Sequence, residues 1–194
     1  MTIIRNYNFD TTKITALAVD SSNGEFIWIG FAKNASNVCI LQKVSAHDLS
    51  QVYYEMELPV DEISFIHIFG SYLYVAVDDS IYLYYKISLS SPLTIQTGVA
   101  IPSGINEVPL SILDDDTYIY ILTPGIAIGE NAKIIKFSSA LVFQETIDLG
   151  ETNSVGFTIS GTDIWVVTSS SPSKLIRVYQ LSGGIYTTDT TILS

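Results

Sequence analysis

Four short apolar runs with an aromatic residue at the centre recur along the chain at a nearly constant interval: FIWIG (26–30), YLYVA (72–76), YIYIL (118–122) and IWVVT (164–168). Aligning Trp28, Tyr74, Tyr120 and Trp165 gives spacings of 46, 46 and 45 residues. A period in the range of 20 to 50 residues, kept from end to end, is the mark of one supersecondary unit stacked on copies of itself. The rest of each period is equally ordered. An apolar stretch precedes each aromatic run: ITALAV (14–19), ISFIHIF (63–69), VPLSIL (108–113) and VGFTIS (155–160). A third run follows and ends in Lys43-Val44-Ser45, Lys86-Ile87-Ser88, Lys136-Phe137-Ser138 and, with Gln for Lys, Gln180-Leu181-Ser182. After a short turn comes an alternating fourth run: VYYEMEL (52–58), LTIQTGVAI (93–101), LVFQETIDL (141–149) and IYTTDTTIL (185–193).

These runs read as strands. They are short, rich in Ile, Val, Tyr, Phe and Thr, and bounded by Gly, Pro, Asn, Asp and Ser. None carries the i, i+3, i+4, i+7 stripe of a helix. The segments SSNGE (21–25), FGS (69–71), DDDT (114–117) and SGTD (160–163) supply residues that tolerate the positive φ of tight hairpins. The second run of each unit is nearly all apolar, which requires cover on both faces, whereas the fourth alternates and belongs half exposed at an edge. A four-stranded meander covered on both faces inside and open at its outer edge is what identical sheets stacked around an axis produce.

That pattern resembles the β-propeller superfamily over the full length, with blades of four antiparallel strands. The expected fold is all-β, a single propeller over residues 1–194, with blades at about 13–59, 61–102, 106–150 and 153–194. Residues 2–9 read as a spare outer strand, which either latches a closed ring or pairs with another chain to give a homo-oligomer. No Trp-Asp blade ending, Gly-Gly kelch signature or sialidase Asp-box is present. Four blades match the size of a hemopexin-like domain, but the disulfide that usually closes that family has no counterpart, since Cys39 is the single cysteine. A β-sandwich and a trimeric β fibre are the alternative architectures.

Composition narrows the function classes. With 47% hydrophobic and 15% charged residues the chain is not a disordered segment. Nine Lys and Arg against twenty Asp and Glu give a net charge of -11, which argues against nucleic acid and anionic lipid as partners. No apolar stretch approaches the 18 or so residues of a membrane span. The start MTIIRNYNFD lacks an apolar core of the secretory kind, so a cytoplasmic or virion-associated location is expected over a secreted one, and the sequon at Asn34 reads as a chance match.

Candidate functional residues fall at two stations. Segments entering the innermost strands carry Asp61 with Glu62, Glu107 beside Asn106, and Glu151 near Asn153, with Asp10 ahead of the first. One oxygen-bearing group per repeat is the composition of a Ca2+ site, although solvated loops between blades have the same composition. The loops between second and third strands vary in length: Asn34, Ile126, Ile128 and Ser170 lie in the longer ones, and variable loops on a rigid scaffold are the usual seat of recognition. His67 sits in an innermost strand, while His47 falls in a turn; with one cysteine they suggest no nucleophilic triad. The run Asp114-Asp115-Asp116 lacks the spacing of a calcium loop and reads as a charged turn. No Walker loop or GxGxxG motif occurs. The leading expectation is a non-catalytic binding or assembly module with a protein or glycan partner and no cofactor, for which a virus or phage particle is one setting. Two alternatives stand beside it. One is a metal-dependent hydrolase or lyase built on the acidic ring and His67; the other is a lectin stacking sugars on Tyr72, Tyr118 and Trp165, residues whose place in two-sided strands reads first as core.

Overall fold

Strand-forming runs separated by turn residues leave a chain one economical path, in which each run pairs with the one before it. The computed structural model of the protein describes residues 13–20, 24–34, 36–78, 83–88, 95–102, 108–126, 129–180 and 184–193. These residues contain no helix. Blade one comprises β1 (Ile14–Val19), β2 (Phe26–Phe31), β3 (Cys39–Ser45) and β4 (Val52–Leu58). Blade two comprises β5 (Glu62–Phe69), β6 (Tyr72–Asp78), β7 (Leu83–Ser88) and β8 (Ile95–Ala100). Blade three is β9 (Ser111–Asp114), β10 (Tyr118–Thr123), β11 (Lys133–Ser138) and β12 (Phe143–Asp148). Blade four is β13 (Ser154–Ser160), β14 (Asp163–Thr168), β15 (Lys174–Gln180) and β16 (Tyr186–Ile192). Each blade is an antiparallel sheet whose strands lie in chain order. The spare strand read over residues 2–9 lies outside the described residues.

The hairpin between first and second strands shows how sequence sets local structure. Gly24, Gly70, Asp116 and Gly161 occupy the same station in the four blades, with φ of 66°, 56°, 68° and 63°. Only glycine, or a short polar residue able to bond its own backbone, reaches that region cheaply, and such turns match the twist of the strands they join. In blade three the Asp114-Asp115-Asp116 run does this work. Asp115 Oδ1 accepts from the amides of Thr117 at 3.0 Å and Tyr118 at 2.7 Å, and Asp114 Oδ1 accepts from the Asp116 amide at 3.0 Å.

Successive side chains of a strand point to opposite faces, so each blade has a face toward the preceding blade and one toward the following blade. Trp28, Leu41 and Leu58 of blade one pack on Ile63, Leu73, Val75 and Ile87 of blade two. Tyr74 and Ala76 of blade two pack on Ile112, Ile119, Ile121 and Phe137 of blade three. Tyr120, Leu122 and Ile134 then pack on Ile164, Val166, Ile176 and Val178 of blade four. Each fully buried side chain of this kind contributes about 1.5 to 3 kcal/mol relative to exposure. The innermost strands run side by side in the order β1, β5, β9, β13. A smaller cluster of Ile29, Phe31 and Val44, flanked by Ile27, Ile40 and Leu49, lies on the other face of blade one and is built from that blade alone.

Register also explains the recurring Lys-x-Ser tripeptide. Lys43 lies opposite Trp28, Lys86 opposite Tyr74 and Lys136 opposite Tyr120. The Lys43 ammonium sits 4.2 Å from the Phe26 ring centroid and 5.6 Å from that of Trp28, a cation–π arrangement that keeps its charge compensated. The serine ends the strand and starts the turn: Ser45 Oγ accepts from the amides of His47 and Asp48, each at 3.1 Å, and Ser138 Oγ accepts from the Val142 amide at 3.2 Å.

Two expectations need correction in blade four. The residue opposite Trp165 is Arg177, not Gln180, so the match of Gln180-Leu181-Ser182 to the tripeptides was displaced by three residues. The Arg177 guanidinium lies 5.8 Å from the Trp165 ring and 4.8 Å from the Tyr179 ring, doing what the lysines do elsewhere. Nor is the second strand of this blade covered on both faces: Val167 is 38% exposed, while its counterparts Ala76 and Leu122 are fully buried.

Gly30 marks a close approach of blades one and two, because a β-carbon there would stand 2.7 Å from Ile63 Cγ2 and 3.3 Å from Ala16 Cβ. Gly30→Val is therefore expected to lose about 1 to 3 kcal/mol of stability through overpacking, read as a lower denaturation midpoint at unchanged m-value.

Candidate functional site

At one end of the arc the connections into the innermost strands meet the loops between second and third strands, and backbone bonds tie the two sets together. The amide of Ser154 donates to the Pro124 carbonyl at 2.8 Å, the amide of Asn153 to that of Gly125 at 3.3 Å, and the amide of Ser169 to that of Asn153 at 2.9 Å. Strand ends are fastened in the same way in two blades. Thr123 Oγ1 accepts from the Lys133 amide and Thr168 Oγ1 from the Lys174 amide, both at 3.2 Å.

The acidic residues of the sequence reading occupy this end, each against a lysine. Asp61 Oδ1 is bonded by the Lys33 ammonium, and Glu62 lies 3.6 Å from that of Lys13. Glu151 is held by both oxygens on Lys174, at 2.7 and 2.6 Å. Glu130 is bonded in the same manner by Lys133. Glu107, with Asn106 and Asp10, lies outside the described residues. Among the described residues no three His, Cys, Asp or Glu side chains gather as metal ligands, so Asp61, Glu62 and Glu151 form separate ion pairs and are not brought together as a ring.

Asn34 and Ser170 turn out to shape their loops. Asn34 Oδ1 accepts from the Ser36 amide at 2.8 Å and the Val38 amide at 3.4 Å. Ser170 Oγ lies 2.8 Å from Thr168 Oγ1 and donates to the Pro172 carbonyl at 3.2 Å. Ile126 is different: it is 69% exposed at the loop that joins β10 to β11. Its neighbours Pro124 and Gly125 are buried and bonded to blade four, and a β-carbon at Gly125 would stand 2.2 Å from the Ala132 nitrogen, so only glycine fits there. Ile128 lies outside the described residues. The loop base is thus clamped while Ile126 projects into solvent.

His67 does not stand alone at the inner strand. Its Nε2 lies 2.6 Å from Asp114 Oδ2, joining β5 of blade two to β9 of blade three in a half-buried pair. His47 is exposed in its turn. Of the three rings considered for sugar stacking, Tyr72 is partly exposed, not core, while Tyr118 lies beneath the Lys136 ammonium at 4.1 Å and Trp165 near Arg177. The described aromatic rings that do form the core are Trp28, Phe31, Tyr74, Tyr120 and Phe137.

Lys136 is the most involved cation. Burial alone would lower its pKa, but a 3.0 Å bond with the Tyr186 hydroxyl and the Glu145 carboxylate 3.5 Å away outweigh it, and the ammonium is held above its ordinary range. Burial also raises the Tyr120 hydroxyl, which donates to Asp115 Oδ2 at 2.7 Å. Outside this pair lies a groove of about 490 Å3 between β12 and β16, lined by Glu145, Thr146, Asp148, Tyr186, Thr187 and Thr188. Sequence reasoning missed it because it belongs to no single repeat: its walls are outer strands of two blades.

Lys13, Lys33, Lys133, Lys136 and Lys174 are thus engaged with carboxylates, Arg177 with Asp163 at 2.6 Å, and Lys43 with aromatic rings. That pattern leaves no described basic patch for a polyanion. Cys39 is also withdrawn from chemistry. Burial, with the charges of Asp61 and Glu62, pushes its thiol up to about 11, and its Sγ donates to the Val60 carbonyl at 3.1 Å. Thiol reagents at pH 8 are expected to label Cys39 only as the chain unfolds, so labelling at the rate of a free thiol under native conditions would contradict this burial. Replacing His67 with Ala is expected to cost about 1 to 3 kcal/mol, measured by chemical denaturation, because Asp114 loses its partner across a blade junction.

No protein-family model matches the chain, and no curated protein sequence is similar to it. Solved structures do match. The computationally designed Ika4 protein aligns over 97% of this chain and 96% of its own at 9% identity, with a TM-score of 0.60. BamB from Moraxella catarrhalis aligns over 93% of this chain at 18% identity and a TM-score of 0.59, and the β-propeller domain of Cps50 (Swd1) from Myceliophteria thermophila over 86% at 12% and 0.61. This chain spans about half of those last two, 50% and 51% of their lengths. At such identities the likeness bears on fold alone, and together with the four meandering sheets it identifies the chain as a β-propeller of four four-stranded blades.

Proposed function

We propose that the protein is a non-catalytic binding module whose recognition surface is the loop face around Ile126. The observation that carries this reading is the contrast within one loop: Gly125 is locked between blades three and four, while the next side chain stands 69% exposed. A large apolar side chain held outward on a fixed base spends little conformational entropy on binding, which is the property of an anchor residue. Asp61, Glu62, Glu130 and Glu151 at that face are each paired with a lysine, which weighs against a metal-dependent hydrolase or lyase and against Ca2+ there. A protein partner offering an apolar pocket fits best.

The groove between β12 and β16 supports a glycan as a second reading, since its carboxylates and hydroxyls are the groups that bond sugar hydroxyls. A displayed-peptide library and a glycan array, each probed with the native chain and with Ile126→Asp, separate the two. The substitution is expected to leave stability within about 0.5 kcal/mol, because the site is on the surface, and to lower peptide binding at least tenfold. Glycan binding that survives Ile126→Asp but is lost in Glu145→Gln would move the site to the groove. Calcium at about 1 mM is expected to leave the melting temperature unchanged, whereas a rise of several degrees would restore the metal reading.

A further inference from the structure

The blade repeat assigns every face a neighbour, and two stretches of this chain stand open: the far face of blade four and the inner strand of blade one. Trp28, Tyr74 and Tyr120 each point at the following blade and are buried there. Trp165 holds the same register in blade four, and Val167, on the same face, is 38% exposed. At the opposite end, Ile14 and Leu17 of β1 are 41% and 56% exposed, although their register counterparts Ile63 and Ile66 of blade two are buried to 3% or less. No apolar cluster among the described residues joins blade four to blade one. Farther out on blade one, Ile29, Phe31 and Val44 are buried, so the open part of that face is its inner strand.

We propose that two copies of this chain close one ring, with the Trp165 and Val167 face of blade four in each copy packing on the Ile14 and Leu17 face of blade one in the other. Three observations favour a second copy over another occupant. The open parts of the two faces, Trp165 with Val167 and Ile14 with Leu17, are register counterparts of residues that meet in the junctions this chain already makes three times. In the junction of blades three and four, Leu122 packs on blade four; Val167 holds the same register and would pack on Ile14 in the new junction. This chain also aligns with half of the BamB chain and half of the chain of the Swd1 propeller domain, each of which holds about as much chain again beyond the matched part. Charges raise no obstacle, because Arg177 is paired with Asp163 and Lys13 with Glu62 at the two faces. A head-to-tail contact that repeats twice and returns to its start gives a closed dimer.

Sedimentation and native mass spectrometry at about 100 µM are expected to show twice the 21.3 kDa chain mass. Val167→Glu and Leu17→Glu should each give monomers with unchanged circular dichroism. Mixing them should restore dimers through the one junction that carries neither substitution, at an affinity at least tenfold below native. Dilution of the native chain should red-shift emission from Trp165, a change absent in Trp165→Phe. Should a Glu variant lose its β signal, Val167→Ala and Leu17→Ala serve instead, with at least tenfold weaker association expected. A native chain that stays monomeric at this concentration overturns the proposal, including one that dimerises only after residues 1–12 are removed, which would make that segment the occupant. A trimer, an open polymer, or a dimer indifferent to both faces overturns it equally.

Discussion

The structure depends on one constraint: a sheet whose central strands are apolar on both faces must be covered on both faces. Among the described residues nothing else meets that demand, since they include no helix to lie across a sheet and the lone cysteine cannot staple one. Stacking one blade on the next meets it three times over, with Trp28, Tyr74 and Tyr120 as the largest contributors. The demand then reappears at the two ends of the stack. A repeat architecture does not remove an exposed face; it passes it along until a ring closes or a different element ends it.

Charge is organised around the same constraint. A blade interior admits a cation only where its charge is compensated, and Lys43 and Lys136 on third strands are set against aromatic rings for that reason. Lys136 shows how far this goes, because it serves its own blade through Tyr118 and the next through Tyr186. Lys13, Lys33, Lys133 and Lys174 pair with carboxylates at the end where the connections converge. With nine basic residues in the whole chain, this leaves the surplus of acidic groups on turns and outer strands, where they keep the exposed strands soluble.

The fold was legible in the sequence because a blade is a local object. Alternation, turn chemistry and the 45 to 46 residue period all lie within a few dozen residues, and they place Trp28, Tyr74, Tyr120 and Trp165 in equivalent positions without knowledge of any long-range contact. What failed to show are relations between blades. The ion pairs Lys33–Asp61 and Lys13–Glu62 join residues 28 and 49 apart, so a row of loop carboxylates resembled a cation site until the lysines opposite them were seen. His67 resembled a free inner-strand base because Asp114, its partner, lies one full repeat away. Gln180 drew the alignment off register because the tripeptide pattern ignored pairing, which puts Arg177 opposite Trp165.

Equivalence of position does not ensure equivalence of environment, and blade four makes the distinction physical. Its face toward blade three obeys the same rules as every other junction, with Ile164, Val166, Ile176 and Val178 buried. Its far face carries the same classes of side chain in the same register, an aromatic ring, an aliphatic residue two positions on and a cation across the sheet. Were this face destined for water, the repeat would be free to replace Val167 with a polar residue, as the outer strand of the same blade does with its run of threonines. It retains the apolar pattern of an interior junction. The far face of blade four therefore keeps the side-chain pattern of the three buried junctions.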